Sequence, residues 1–230
     1  LDLPSSSSHL RWMKRALIAL TLLSACARPL TSNEAEVAQA LFGPTLDTSK
    51  VSVSVNLGLL PLPEPWRFRR AAGAGEAEPV APPPGLCERK RSTKRHYTGP
   101  AAFVLWNSVF IGEDYYLPDS FKGVPGSAPY PASVLMAHEL VHVWQWQNRA
   151  VTHYTPIGGA SETADHIDPY WFEVDPKAEF LSYGYEQQAA MVQDFTCYAL
   201  FDRQSPRLDE LATLLRPVLP VDDFLAKLTP

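Results

Sequence analysis

Two histidines and a glutamate form the clearest chemical pattern in the chain, within His138-Glu139-Leu140-Val141-His142. Residues four apart lie one turn apart on the same face of a helix, so both imidazoles can point at a single ion. Zinc binds neutral imidazole nitrogen, and a catalytic zinc site has three protein ligands and a water. Glu139 lies where it can take a proton from that water. The pattern predicts one Zn²⁺ ion bound by His138 and His142, with Glu139 as the catalytic base.

The third zinc ligand has to come from outside this helix. The metzincin pattern HExxHxxGxxH is excluded, because Gln145 and Asn148 stand where it needs Gly and His. We favour Glu186, which opens a second predicted helix, because the helix dipole stabilises a carboxylate there and neighbouring alanines allow the two helices to approach closely. The alternatives are the other downstream histidines and carboxylates: His153, Glu162, His166, Glu173, Asp175 and Glu179.

Four further side chains are candidates for supporting roles. A hydrolase of this plan needs a donor for the developing oxyanion, and Tyr183, Tyr185 and His153 are the candidates. A ligand histidine usually gives its second ring N–H to a carboxylate or carbonyl. Asp194, about two turns beyond Glu186, is the candidate for that contact.

Two segments of the chain resemble a known kind of protein. Residues 138–147 (HELVHVWQWQ) and 185–194 (YEQQAAMVQD) together resemble poorly characterised bacterial zinc metallopeptidase-like envelope lipoproteins. The general plan is similar to that of the gluzincins, in which a glutamate on a second helix completes the zinc site. The resemblance covers residues 100 to 200. The longer Asn-Glu signature of thermolysin-type enzymes is absent, so no particular substrate is implied.

The resemblance implies a hydrolase that cleaves peptide or amide bonds in the bacterial cell envelope through zinc-activated water. An edge strand beside the metal would hold an extended peptide by strand addition, and residues 101–111 are the candidate strand. Two alternatives stay open. One is a zinc-binding envelope protein that acts in binding or assembly without peptidase activity. The other is a hydrolase of peptidoglycan cross-links or other amides.

The N-terminal residues have the composition of an export signal. Met13 is followed by two basic residues, an apolar run over residues 16–23 and then Ser24-Ala25-Cys26, which are the parts of a secretory signal. The run is well short of the roughly 20 residues needed to cross a bilayer. Residues 23–26 resemble the bacterial lipobox, whose cysteine is lipidated and becomes the mature N-terminus. The alternative is an ordinary cleaved signal with a chance cysteine.

These features predict the location of the protein. Residues 1–25 are upstream residues and a lipoprotein signal peptide, Cys26 carries the lipid, and residues 26–33 form a polar tether. The mature protein lies on the periplasmic side of the envelope, and Ala27, in place of an aspartate retention signal, favours the outer membrane. The predicted partners are this membrane and a peptide or protein substrate. The net charge of -5 gives no reason to expect nucleic-acid binding.

The remaining two cysteines, Cys87 and Cys197, are predicted to form a disulfide, because an exported protein folds in an oxidising compartment. A bond closing a loop of about 110 residues would stabilise the fold by roughly 4–5 kcal/mol. The alternative is a pair of separate buried thiols.

The elements that position these residues are a small sheet and several helices. Alternating apolar and polar residues predict a strand over 50–57, and the apolar stretch 101–111 with a turn at 112–114 predicts a hairpin over 101–117. The segment 133–149 lacks proline and glycine and is apolar nearly all round, which predicts a buried helix. Further helices are predicted over residues 33–41, 185–201, 207–215 and 222–228.

We expect a single domain over residues 34–230. Its class is α+β and zincin-like, with a small mixed or antiparallel sheet packed on the HExxH helix and on the second long helix. The proline- and glycine-rich stretch around 61–100 is predicted to be a flexible loop. With 46% hydrophobic residues, the chain has enough apolar side chains for a substantial core.

Overall fold

One layer of the protein is a small mixed sheet, seen in a computed structural model that describes residues 27–57, 85–93 and 100–229. The strands lie in the order β1-β2-β4-β3. β1 pairs with β2 and β3 pairs with β4 in antiparallel orientation, whereas β2 and β4 are parallel. The four strands described are β1 (Ala27–Pro29), β2 (Ser52–Val55), β3 (Ala102–Leu105) and β4 (Ser108–Ile111).

Helices form the rest of the described structure. The two longest, α2 and α5, pack against each other, and α2 also contacts β3 and β4 of the sheet. The predicted α+β class is confirmed. The seven α-helices of the described residues are α1 (Ser32–Phe42), α2 (Ala132–Gln147), α3 (Arg149–Thr152), α4 (Pro156–Asp165), α5 (Tyr185–Phe201), α6 (Pro206–Leu215) and α7 (Val221–Lys227).

The two helices α2 and α5 pack against each other, and both carry small buried side chains. Ala189 and Ala190 of α5 and Ala137 of α2 are fully buried, as are Leu140 and Val141. A helix that is apolar nearly all round has to be buried on all sides, and α2 meets this condition by lying between the sheet and α5. The predicted close approach of the two helices is therefore confirmed.

The N-terminal segment differs from the prediction. Ala27–Pro29 are strand β1, paired with β2, instead of part of a tether. Thr31 then caps α1 in a capping box with Glu34. The physical reason is a buried ion pair: Arg28 contacts both carboxylate oxygens of Glu34 at 2.6 and 2.9 Å and also bonds the hydroxyl of Tyr116. Arg28, Thr31 and Glu34 thus make structural contacts and do not belong to a solvated linker.

The hairpin also turns at a different place. The chain reverses at Trp106 and Asn107, between paired residues Leu105 and Ser108, and not at residues 112–114. Trp106 has a φ of 57°, the left-handed conformation that a two-residue hairpin loop requires. The loop is held from outside, because Gln147 of α2 donates to the Asn107 side chain at 2.9 Å. Neither α3 nor α4 was anticipated from the sequence.

The predicted disulfide between Cys87 and Cys197 is confirmed, with a Cα–Cα distance of 5.6 Å. It attaches the segment 85–93 to α5. The rest of the stretch around 61–100 lies mostly outside the described residues, as do the predicted signal segment and Cys26. Within the described part, no helix has the length and apolar character that a membrane crossing requires.

Candidate metal centre

Three predicted ligands meet in the interface between α2 and α5. The Nε2 atoms of His138 and His142 both approach the same oxygen, Oε2 of Glu186, at 3.2 and 3.3 Å. The potential ligand atoms of the three residues all lie within 4.8 Å of one another, and all three residues are buried. The structure thus brings together the two helix-borne histidines and the preferred third residue, whereas the other candidate ligands are absent from this group.

Two glutamine side chains orient the histidines. The Nδ1 atom of His138 lies 3.0 Å from Oε1 of Gln193, and the Nδ1 atom of His142 lies 2.9 Å from Oε1 of Gln145. An amide oxygen only accepts hydrogen bonds, so each Nδ1 carries a proton, and whenever a ring is neutral its lone pair is on Nε2. That tautomer, with Nε2 directed at the ion, is the one in which imidazole binds a metal.

The orientation of Gln145 is itself fixed by its neighbours. Its Nε2 group donates to the backbone oxygen of Tyr185 at 3.2 Å and to Oε1 of Gln188 at 3.0 Å. Its oxygen therefore has to face His142. On the opposite side of the centre, the hydroxyl of Thr163 donates to Oε1 of Glu186 at 3.1 Å, leaving Oε2 for the histidines.

The spacing of the ligand atoms suits a metal better than a direct ion pair. Charge-assisted N–H···O bonds are usually about 2.7–2.9 Å long. Tetrahedral ligands bound to zinc at about 2.0–2.1 Å lie roughly 3.3 Å from one another. The observed separations of 3.2 and 3.3 Å between nitrogen and oxygen match the second geometry. In ligand type, and in these two separations, the three residues therefore fit a metal site.

The carboxylate of Glu186 and the two imidazoles shift one another's pKa values. Burial alone would lower the pKa of His142, but the carboxylate of Glu186 outweighs it and raises this pKa to about 9. Burial acts the opposite way on Glu186, yet the two imidazoles hold its pKa well below the usual range. The pKa of His138 is lowered, chiefly by burial. The buried carboxylate of Glu186 is thus ionised and is stabilised by positive charge beside it.

Glu139 is the one carboxylate here with an open bonding position. It is 3% exposed, and its Oε2 atom has no hydrogen-bond partner. Burial raises the pKa of its carboxyl group to about 8, with the charge of Glu186 adding to the effect. Buried polar atoms are almost always paired in native proteins, and this oxygen is the one carboxylate atom among the four buried side-chain atoms of the described residues that lack a partner.

A cleft of about 460 Å³ opens beside the two α2 residues His138 and Glu139. One wall is the start of β3 with Ala101 and Ala102, and the opposite wall is the segment 166–170, which includes Tyr170. The ring of Tyr170 lies 5.7 Å from that of His138. The cleft is thus lined both by residues of the centre and by the first residues of the edge strand β3.

The four predicted supporting residues make contacts elsewhere. The Tyr183 hydroxyl donates to the backbone oxygen of Glu173, and the Tyr185 hydroxyl donates to that of His153. His153 contributes this carbonyl from the exposed end of α3. Asp194 binds Arg89 at 2.6 Å and 3.0 Å instead of a ligand histidine. Among the described contacts, none of these side chains reaches the three ligands.

The residues that do surround the centre were not anticipated from the sequence. Gln145 and Gln193 carry the histidine contacts, and Thr163 carries the contact to Glu186. Tyr154 is 4% exposed and stacks on His142 with ring centroids 5.7 Å apart. Only the glutamines left a local signal, since Gln145 lies three residues after His142 and Gln193 lies two turns after Glu186, on the same helices as the ligands.

Comparisons of the chain with protein-family models, with curated proteins and with solved structures gave no match in any of the three.

Proposed function

We propose that this protein is a zinc-dependent hydrolase in which His138, His142 and Glu186 hold one zinc ion and Glu139 is the general base. The observation that carries the proposal is the convergence of both Nε2 atoms on one oxygen of Glu186, at 3.2 and 3.3 Å. Structural zinc sites usually have four protein ligands, whereas catalytic sites have three. The group found among the described residues has three, which supports the catalytic type.

Glu139 supplies the proton chemistry. When bound, zinc polarises a water and the attacked carbonyl. Burial raises the pKa of Glu139 to about 8 in the metal-free protein, and the charge of a bound zinc would lower it. The Oε2 atom of the ionised carboxylate, which has no partner among the described residues, could then accept the proton from that water. The same carboxyl then donates this proton to the leaving amine, so that peptide or amide cleavage consumes one water and leaves Glu139 ionised again.

The substrate we propose is an extended peptide that lies along the free edge of β3. Gly112 donates its backbone N–H to the oxygen of Ala101, so the alternation of an antiparallel pair directs the peptide groups of Ala102 and Val104 away from β4. No strand of the described residues pairs with this edge. Because Ala102 lines the same cleft as Glu139, a peptide added here would pass the base.

Tyr170 is our candidate donor to the oxyanion, in place of Tyr183, Tyr185 and His153. It lines the cleft with His138 and Glu139, and its hydroxyl makes no hydrogen bond within the described part. Burial raises the pKa of this phenol above its usual range. The hydroxyl therefore stays protonated at neutral pH and is free to donate.

We place the protein in the bacterial cell envelope, attached by lipid at Cys26. The disulfide between Cys87 and Cys197 supports an oxidising compartment. Because β1 begins at Ala27, an anchor at Cys26 would hold the sheet directly at the membrane surface. Metabolic labelling with palmitate tests this, since a Cys26→Ser variant should lose the label, and equal labelling of both proteins would contradict it.

The test of the hydrolase uses Glu139→Gln, with the exposed Glu113→Gln as matched control. Purified proteins are assayed for zinc and for release of peptides from unfolded protein or of muropeptides from peptidoglycan. We expect Glu139→Gln to keep its zinc and to lose about 10²–10⁴-fold in rate, and Tyr170→Phe to lose about 10²–10³-fold. The control should match the wild type. Zinc binding with no hydrolysis by the wild type on either substrate would instead favour a zinc-binding protein that acts in binding or assembly.

A further inference from the structure

A groove of about 810 Å³ lies outside the metal centre, with no lining residue in common with the cleft at Glu139. One wall is the segment 174–181, and the other is α6 with residues 217–218 that follow it. Phe180 and Leu214 are buried in its lining, and Val174, Leu181 and Val218 are half-buried there. The groove therefore offers an apolar floor to solvent.

We call this pocket the acidic groove, because the charged side chains that line it are all carboxylates; Lys177, in the first wall segment, is not among the lining residues. Asp175 and Glu179 lie on the first wall, and Asp209 and Glu210 lie on the second, whereas no lysine or arginine lines it. Glu210 is paired with Arg207 at 2.9 Å. Within the described residues, Glu179 and Asp209 form no salt bridge. Two facing walls thus present unpaired negative charge above an apolar floor.

A metal ion does not suit this arrangement. The carboxylates do not converge on a point: among the described residues, the zinc triad is the only group of three or more metal-ligating side chains that come together. Charge that is spread along two walls is matched by cations that are likewise spread, and an apolar floor is matched by apolar side chains between them.

We propose that the acidic groove binds a peptide segment of a partner protein in which apolar side chains alternate with lysine or arginine. The apolar side chains fill the floor beside Phe180, and the cations pair with Glu179 and Asp209 on opposite walls. This site is separate from the zinc centre and does not depend on hydrolysis.

The experiment measures binding of a short, fluorescent, amidated peptide of alternating leucine and lysine to the purified chain. Two further peptides replace all leucines by serine or all lysines by glutamate. The protein variant is Glu179→Gln with Asp209→Asn. Its matched control is Glu113→Gln with Asp114→Asn, which removes the same charge from an exposed turn outside the groove.

We expect saturable binding that the groove variant weakens about 5–10-fold, as loss of two exposed charge pairs should, while the control stays within about twofold. Replacing leucine by serine should weaken binding about as much, and the glutamate peptide should not bind. Equal weakening by both variants, equal binding of the serine peptide, or no saturation would overturn the proposal. A dimer of the chain that the groove variant abolishes would overturn it too, by identifying a second copy as the occupant.

Discussion

Two buried clusters of charge in this protein are built in opposite ways. Glu34 is fully buried and accepts hydrogen bonds on both oxygens, from Arg28 twice and from the backbone of Thr31 and Ser120. Glu139 is almost as buried, yet one of its oxygens has no partner. Complete pairing is what a buried charge needs for structure. The open position at Glu139 lies beside the three potential metal ligands, and our proposed function assigns it a catalytic role.

The arginine–carboxylate contact of the first cluster is shorter than the histidine–carboxylate contacts of the second. Arg28 approaches Glu34 at 2.6 Å, as expected of a charge-assisted bond. The histidines remain at 3.2 and 3.3 Å from Glu186. The contact between Arg28 and Glu34 is a complete ion pair. The distances from the histidines to Glu186 are instead those expected between ligands of one metal ion.

The largest effect on folding should come from a change at Glu34, whose two oxygens both have hydrogen-bond partners. Glu34→Gln leaves Arg28 without its buried counter-charge, so we expect the free energy of unfolding to fall by about 3–5 kcal/mol. Urea denaturation measures this. Glu36→Gln removes an exposed partner of Lys227 and should leave the free energy of unfolding close to the wild-type value, because exposed ion pairs contribute little. A loss at Glu34 no larger than that of the control would show that this cluster does not stabilise the fold.

A smaller effect, confined to zinc, should follow from changing a glutamine behind the ligands. Gln193→Leu removes the acceptor for Nδ1 of His138, and loss of such an outer contact costs about 10–100-fold in metal affinity. Competition with a chromogenic chelator measures the affinity. Gln147→Leu, on α2 but bonded to Asn107, should leave zinc affinity unchanged. Equal zinc affinities of the wild type and Gln193→Leu would show that Gln193 does not support zinc binding.

The smallest effect on folding should come from a change at Glu139, whose Oε2 atom has no hydrogen-bond partner. Glu139→Gln replaces a buried carboxylate that lacks a partner on Oε2, so no completed ion pair is broken. We expect the free energy of unfolding of the metal-free variant, measured by urea denaturation, to lie within about 1 kcal/mol of the wild-type value or above it. A loss comparable to that of Glu34→Gln would mean that Glu139 is a structural residue and would erase the contrast between the clusters.

The sequence was sufficient for the parts of the site that depend on local spacing. His138, Glu139 and His142 follow from one helical turn, and Glu186 follows from its position at a helix start beside alanines. The helices that carry them were predicted within two residues of their ends, because their periodicity and their start and stop signals are local.

What the sequence did not show depends on contacts between distant segments. Tyr170 and Thr163 reach the centre only through the packing of α4 and the following loop on α5. Asp194 was assigned to a histidine by its spacing on α5, but Arg89, held nearby by the disulfide, takes its carboxylate. Strand β1 was missed because a three-residue strand has too few residues to show alternation.

The central claim is that His138, His142 and Glu186 hold one zinc ion, and the zinc affinity of purified wild type against Glu186→Ala tests it most directly. Glu179→Ala, an exposed carboxylate outside the triad, is the control. We predict one zinc per wild-type and control chain, and a loss of affinity in Glu186→Ala beyond the roughly 10–100-fold that outer contacts cost. Zinc retained by Glu186→Ala at wild-type affinity, or no zinc bound by the wild type, would contradict the account.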